Sequence, residues 1–162
     1  MSSGVRIGIG HDRHRLGIGE SIRVGGVTIP HDRTLLGHSD ADVLLHAIID
    51  AILGAAALGD IGEHFPDTEP ENAGRNSGEM LGLVLKRIDE LGWRILNVDC
   101  TVFAERPRLA AYKQDIRASL AGLLGINSDQ VNIKAKTGEQ VGPVGREEII
   151  EADCVVLLGA TS

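Results

Sequence analysis

Apolar positions along the chain change their period several times, and each change marks an element. Val5 to Ile9 is a short apolar run that reads as a strand. Ile22 to Ile29 reads as a second strand or a hairpin, interrupted by Gly25-Gly26 and stopped by Pro30, which has no N–H for a ladder. From Val43 the spacing turns helical, through Leu44, Ala47, Ile48 and Leu53 to about Leu58, with Ser39 or Asp40 as the expected N-cap. Gly59-Asp60-Ile61-Gly62 ends that helix. Glu63 to Asn76 is polar and without a period, and long stretches of this kind inside a compact domain are usually functional or mobile.

A second helix is marked by the stripe Leu81, Val84, Ile88 and Leu91, with Ser77 to cap it and Gly92 to close it. Arg94 to Ala104 alternates, with Leu96, Val98, Cys100 and Val102 on one face and Asn97, Asp99 and Thr101 on the other, as in a half-buried strand. A third helix is expected from Ala110 to Leu124, with Ile116, Leu120, Leu123 and Leu124 inward. Val131 to Ala135 and Ile149 to Leu158 are expected as two further strands, paired antiparallel. No repeat or linker interrupts this order. It predicts an α/β (α+β) fold, one domain over residues 1–162, with a single mixed sheet covered on one face by helices. The other face needs a cover, and a neighbouring subunit is the simple candidate.

Composition narrows the function classes. A hydrophobic fraction of 43% over 162 residues is enough for a core of its own. A net charge of -7 argues against a nucleic-acid or anionic membrane partner, while leaving room for an anionic small substrate in a locally basic pocket. Met1-Ser2-Ser3-Gly4 shows no basic region leading into an apolar stretch, so the expected location is cytoplasmic. Cys100 and Cys154 both fall in apolar runs and read as buried thiols rather than as a disulfide or as ligands.

The candidate chemistry begins at Gly10-His11-Asp12-Arg13-His14, placed at the exit of the first apolar run. In extended backbone the i, i+2 spacing puts Asp12 and His14 on one face. His46 sits inside the most apolar helix, where an unpartnered imidazole is costly. Two imidazoles and a carboxylate are a ligand set that zinc accepts, and three protein ligands leave one coordination position open for chemistry. Asp42 and Asp50, four residues to either side of His46, are candidates to orient its ring. The plainer readings are a satisfied core histidine, a charge at a helix N-terminus for Asp42 and a solvated position for Asp50.

Three more clusters carry chemistry. His38-Ser39 would add an imidazole and a hydroxyl to the free N–H groups of a helix N-terminus, a setting that suits phosphate, beside a simple capping role for Ser39. Lys134-Ala135-Lys136-Thr137-Gly138-Glu139 turns out of a strand with Arg146 close behind. Lys136, Thr137 and Arg146 suit phosphate oxygens, and Glu139 suits a hard cation such as Mg²⁺. Arg106-Pro107-Arg108 is a basic turn after a strand. Gly8-x-Gly10 lacks the third glycine of a dinucleotide fingerprint.

In this order the clusters resemble the 2-C-methyl-D-erythritol 2,4-cyclodiphosphate synthase family of the non-mevalonate isoprenoid pathway. The resemblance runs through Gly10 to His14, Leu36-Gly37-His38-Ser39-Asp40-Ala41-Asp42 with His46, and Gly59 to Gly62. It continues through Phe65-Pro66-Asp67-Thr68, Arg106 to Arg108 and Lys134 to Glu139. It implies a lyase that cyclises 4-diphosphocytidyl-2-C-methyl-D-erythritol 2-phosphate and releases CMP. It implies a homotrimer with active sites between subunits, Zn²⁺ on Asp12, His14 and His46, and Mg²⁺ or Mn²⁺ held by Glu139 and substrate phosphates. His38 and Thr137 would stabilise the transition state. Asp12, Arg13, His14, His38 and Ser39 would contact substrate. Asp60, Ile61 and Gly62, with Phe65, Pro66, Asp67, Thr68 and Glu69, would hold its methylerythritol and ribose parts. Ala104, Glu105, Arg106, Pro107, Arg108, Leu109 and Ala110, with Lys136 and Thr137, would hold the cytidine diphosphate. Gly138, Glu139 and Arg146 would be further contacts. Two departures stand out. Pro143 replaces an aromatic residue common in the family, and Lys136 replaces a common Thr. A zinc-dependent phosphodiesterase or phosphatase and a trimeric small-ligand or metal-binding module are the rival readings.

Overall fold

A computed structural model describes residues 4–162; Met1, Ser2 and Ser3, part of the stretch read for a leader, lie outside the described residues. In chain order the elements are β1 (Val5–Ile18), the hairpin β2 (Ser21–Val24) and β3 (Val27–Pro30), β4 (Arg33–Leu36), α1 (Val43–Ala56), the single-turn α2 (Ile61–His64) and α3 (Ser77–Glu90). Then come β5 (Trp93–Phe103), α4 (Lys113–Leu124), β6 (Val131–Lys136), the short α5 (Gly142–Gly145) and β7 (Ile149–Ala160). Five strands form one mixed sheet in the order β4-β1-β7-β5-β6. No helix among the described residues is long and apolar enough to cross a membrane.

Two sheet expectations need correcting. β1 is far longer than its apolar run, so Asp12 and His14 lie within the strand and not at its exit. Its polar half stays extended because β7 pairs with it from Val5↔Gly159 to Arg15↔Ile149, and β4 from Arg15↔Leu36 to Ile18↔Arg33. The second correction concerns β6, which does not pair with β7. It runs parallel to β5 after the α4 crossover, while β7, last in the chain, inserts antiparallel between β1 and β5. A helix between two strands is the connection that a parallel pair requires.

The core lies between the sheet and α1, α3 and α4. The central helix is buried on nearly every side, including Ile48, Ile49 and Ile52. Each such side chain contributes about 1.5–3 kcal/mol by leaving water, so packing rather than propensity fixes this helix. Its closeness to β1 depends on Gly8 and Gly10. A Cβ on Gly8 would run into the Ala51 carbonyl oxygen, and one on Gly10 into that of Ala47. These glycines admit a helix backbone. Ala47 follows His46, so the same close approach delivers His46 to β1.

Local chemistry differs from expectation at several ends. The N-cap of α1 is Asp42, not Ser39 or Asp40, and Asn76 rather than Ser77 caps α3. Leu91 and Leu123 are exposed. In β5 a register shift between Ile95 and Asn97 turns Ile95 inward in place of Leu96. Cys100 and Cys154 are buried and directly opposite one another on β5 and β7, as free thiols.

The helices cover one face only. On the other, Val5, Ile7 and Ile9 of β1 are 63%, 72% and 74% exposed, next to Val155 of β7. Three large aliphatic side chains in a row on an open sheet are more than a monomer normally leaves to water.

Candidate functional site

Strand alternation turns Gly8, Gly10, Asp12, His14 and Leu16 toward α1, where His46 occupies the first turn. The Asp12 Oδ2 lies 2.8 Å from His14 Nε2 and 3.1 Å from His46 Nδ1. The two ring nitrogens are 3.2 Å apart. His14 Nδ1 is 2.9 Å from the carbonyl oxygen of Leu36 in β4. A carbonyl only accepts, so Nδ1 carries the proton of the neutral ring, and Nε2 then turns its lone pair to the cluster. One ligand atom from each of Asp12, His14 and His46 falls within 4.8 Å of the others. A carboxylate and two imidazole nitrogens so placed fit a divalent metal ion.

Electrostatics agree with that reading. Burial pushes the Asp12 carboxyl up, but hydrogen bonds from His14 and His46, with their charges, outweigh it and hold its pKa at about 2. Burial pushes His14 down, and its bond to Asp12, together with the charge of Asp12 and the Leu36 carbonyl, more than reverses this, leaving it above the ordinary 6.5. The cluster attracts positive charge.

The triad opens into a cleft of about 460 Å³ lined also by His38, Ser39, Ile61, Gly62, Phe65, Pro66, Asp67 and Thr68. The stretch from Glu63 to Asn76 therefore forms a wall. Asn72 is buried and holds it, donating from Nδ2 to the Pro66 carbonyl and accepting from Arg75. Asp60 caps α2 through the Glu63 N–H, so it supports Ile61 and Gly62. Asp60 and Glu69 flank the cleft rather than line it. Arg13 points to the open face of the sheet, its Nε 3.7 Å from Glu151, away from the cleft. A cleft of about 530 Å³ at the other end of β5, beside Trp93 and Gln130, holds no metal-ligand cluster among the described residues.

The expected orienters of His46 are not the observed ones. Asp42 spends its carboxylate on the N–H groups of Gly25, Gly26 and Leu45, pinning the β2–β3 turn to α1. Asp50 accepts from the Ile61 N–H. The His46 Nε2 instead meets the hydroxyls of Ser39 at 2.9 Å and Ser77 at 2.8 Å. In the sequence Ser77 stands out only as a cap, and no local period signals that a serine 31 positions away meets this ring. Ser39 likewise serves the ring rather than the helix end.

The remaining residues gather elsewhere, at the ends of the parallel strands β5 and β6. Ala104 N–H donates to the Lys136 carbonyl, and Gly138 N–H to Glu105 Oε2. The Arg106 guanidinium lies 3.1 Å from Asp32 and 3.6 Å from Glu147, with Pro107 in a cis peptide after it. Arg108 precedes a turn of 3₁₀ helix formed by Leu109, Ala110, Ala111 and Tyr112. Thr137 Oγ1 accepts from the Glu139 N–H, and Arg146 pairs with Glu148. None of Lys136, Thr137, Gly138, Glu139 or Arg146 lines the cleft. The register Arg13↔Glu151↔Phe103↔Lys136 puts both groups at the same level of the sheet. They are three strand spacings apart, about 14 Å.

Residues 5–159 match the family model described as the YgbB family. The 2-C-methyl-D-erythritol 2,4-cyclodiphosphate synthase of Laribacter hongkongensis is 55% identical over 154 residues, 95% of either chain. The enzyme of that name from Pseudomonas aeruginosa is 52% identical over 156 residues, 96% of this chain and 99% of the other. Among solved structures, a CDP complex of IspF from Plasmodium falciparum superposes with a TM-score of 0.88 at 32% identity, covering 100% of both chains.

Proposed function

Because this chain belongs to the YgbB family, whose relatives are 2-C-methyl-D-erythritol 2,4-cyclodiphosphate synthases, we propose that its cleft is half of an active site completed by a neighbouring copy. The reaction is the cyclisation of 4-diphosphocytidyl-2-C-methyl-D-erythritol 2-phosphate to 2-C-methyl-D-erythritol 2,4-cyclodiphosphate with release of CMP. The observation that carries the divided site is the separation of the triad cleft on β1 and α1 from the basic turns on β5 and β6. The apolar open face of β1 and β7 supports assembly, and the assembly we assign is a homotrimer. We assign zinc to Asp12, His14 and His46, and Mg²⁺ or Mn²⁺ to Glu139 with substrate phosphates.

The chemistry asks little covalent work of the protein. The 2-phosphate oxygen attacks the β-phosphorus in line, and CMP leaves with the bonding pair of the broken P–O bond. Bound divalent metal supplies neutralisation of the crowded phosphate charges. His38 and Ser39, beside the triad in the cleft, offer donors to the attacked phosphoryl group. Thr137 accepts from a backbone N–H, which leaves its own O–H free to donate to a phosphate oxygen from the partner half. Arg108 and Lys136 carry the positive charge for the cytidine diphosphate, and Arg106 joins them by exchanging its Asp32 and Glu147 partners for phosphate. Holding both ends of one substrate makes ring closure effectively unimolecular, so no side-chain nucleophile is required.

Product analysis with the cytidine substrate, with and without chelator, tests this reading. CMP with a cyclic diphosphate, lost on chelation, supports it. A linear product would mean a hydrolase, and no turnover would mean a binding module.

A further inference from the structure

We propose that Asp40 and Ser77 form a positioning relay that fixes the proton of His46 on Nε2 and thereby keeps Nδ1 free for metal. The inference rests on reading Asp12, His14 and His46 as a metal site. It follows from counting protons along one chain of contacts. Asp40 Oδ1 lies in a very short contact with Ser77 Oγ, and Asp40 Oδ2 accepts from the Ser77 N–H at 2.9 Å. A carboxylate only accepts, so the one hydroxyl proton of Ser77 goes to Asp40. Ser77 Oγ then has only lone pairs left for His46 Nε2, 2.8 Å away. That contact is a hydrogen bond only if Nε2 carries the proton, which leaves the lone pair of the neutral ring on Nδ1. Nδ1 is the atom that faces Asp12 Oδ2 at 3.1 Å and His14 Nε2 at 3.2 Å.

Ser39, the second neighbour of Nε2, does not decide the matter. Among the described residues its hydroxyl proton has no other acceptor, so it serves either ring form. The directional information comes from Asp40. Its own position is fixed by the Asp42 N–H on Oδ1, and its backbone N–H donates to the Arg75 carbonyl. The relay thus joins the loop before α1, the first residue of α3 and the ring on α1. Outer-shell partners of metal-bound histidines act in this way, fixing ring form and orientation.

The relay makes an unusual prediction about Asp40→Asn. The asparagine oxygen keeps the shorter bond from the Ser77 N–H, 2.9 Å, and gives up the longer one from the Asp42 N–H, 3.2 Å, which turns its amide N–H₂ toward Ser77 Oγ. Ser77 then accepts from residue 40 and donates to Nε2, and the His46 proton is driven to Nδ1, where it blocks metal. Ser77→Ala removes the messenger and leaves Ser39 to support either form. Affinity measured by zinc competition with a chromogenic chelator should therefore fall about tenfold in Ser77→Ala and about a hundredfold in Asp40→Asn. The double variant should return to the Ser77→Ala level, because the inverted signal has no carrier. Packing damage would instead add, and effects of the two single variants that sum in the double variant would overturn the relay. Imidazole ¹⁵N spectra of the metal-free protein in mildly alkaline solution supply a readout independent of metal. The His46 proton should sit on Nε2 in the unmodified chain and on Nδ1 in Asp40→Asn. A proton on Nδ1 in the unmodified chain would sink the relay. A proton on Nε2 in a chain that takes up no zinc would uphold the relay and sink the metal reading of the triad.

Discussion

The Nε2 of His14 and the Nδ1 of His46 face one another across 3.2 Å. In the ring forms favoured by Leu36 and Ser77, both present lone pairs, and lone pairs at that distance repel unless something positive lies between them. The candidates are a metal ion and a proton. Asp12, 2.8 Å from His14 and held at a pKa of about 2, supplies the negative charge for either.

The two occupants respond oppositely to pH. In chelated protein the folded-state pKa of His14 is raised above 6.5, so its contribution to stability is complete below 6.5 and is lost as pH rises through the raised value. Metal-loaded protein should behave in the opposite sense, because protons compete for its ligands and metal-linked stability grows with pH. Thermal unfolding from pH 6.5 upward, with zinc and with chelator, should give curves of opposite slope. Metal at about a hundred times its dissociation constant should add about 2.7 kcal/mol. Parallel slopes would contradict the shared-site picture.

Gly10→Ala should damage both stability and metal binding. Its Cβ would strike the Ala47 carbonyl oxygen, and backbone gives way less readily than a side chain. A loss of about 1–3 kcal/mol is expected, together with weaker zinc uptake as α1 and His46 move off β1. Gly82→Ala, in α3 with nothing near its Cβ, should instead stabilise by about 0.5–1 kcal/mol. Melting curves and metal content of the two variants make the comparison.

If the active site is divided between copies, two inactive variants should rescue one another. His46→Ala spoils the triad half, and Glu139→Gln spoils the half on the β6 turn while keeping zinc. Subunits mixed at equal ratio, unfolded and refolded together, should regain about a quarter of wild-type turnover, the fraction of sites drawing an intact half from each neighbour. No rescue, with mixed oligomers verified by mass, would place both halves in one chain.

Glu139 and Gln140 have φ of +53° and +60°, consecutive left-handed residues closed by the Val141 N–H on the Gly138 carbonyl. Side chains rarely adopt this turn, which asks for glycine. Gln140 is exposed, so Gln140→Gly should relieve strain and stabilise by up to about 1 kcal/mol. A melting temperature that falls would mean that the side chain of Gln140 does more than its exposed position suggests.

The sequence by itself determined what local period and composition encode. Alternation on β5, the stripe on α3 and the hairpin at Gly25-Gly26 all form near their expected places. The triad was legible because i, i+2 on a strand fixes a face, and because an imidazole amid the apolar residues of α1 demands a partner. Tertiary structure decided the partners. Nothing local to Val131 or Ile149 says whether their strands pair with each other, so the parallel β5–β6 pair and the central place of β7 emerge only when every strand competes for neighbours. Short β4 has no period of its own, yet its Leu36 carbonyl sets the ring form of His14. The bulge that exchanges Leu96 for Ile95 depends on β7 across the ladder. Ser77 and Asp40, rather than Asp42 and Asp50, serve His46 because helix periodicity ranks neighbours along one helix. The acceptors for the outward side of the ring come from the loop before α1 and the start of α3, which only packing brings there. The separation of the cleft from the β5–β6 turns has the same origin, since chain order does not encode strand order in a sheet.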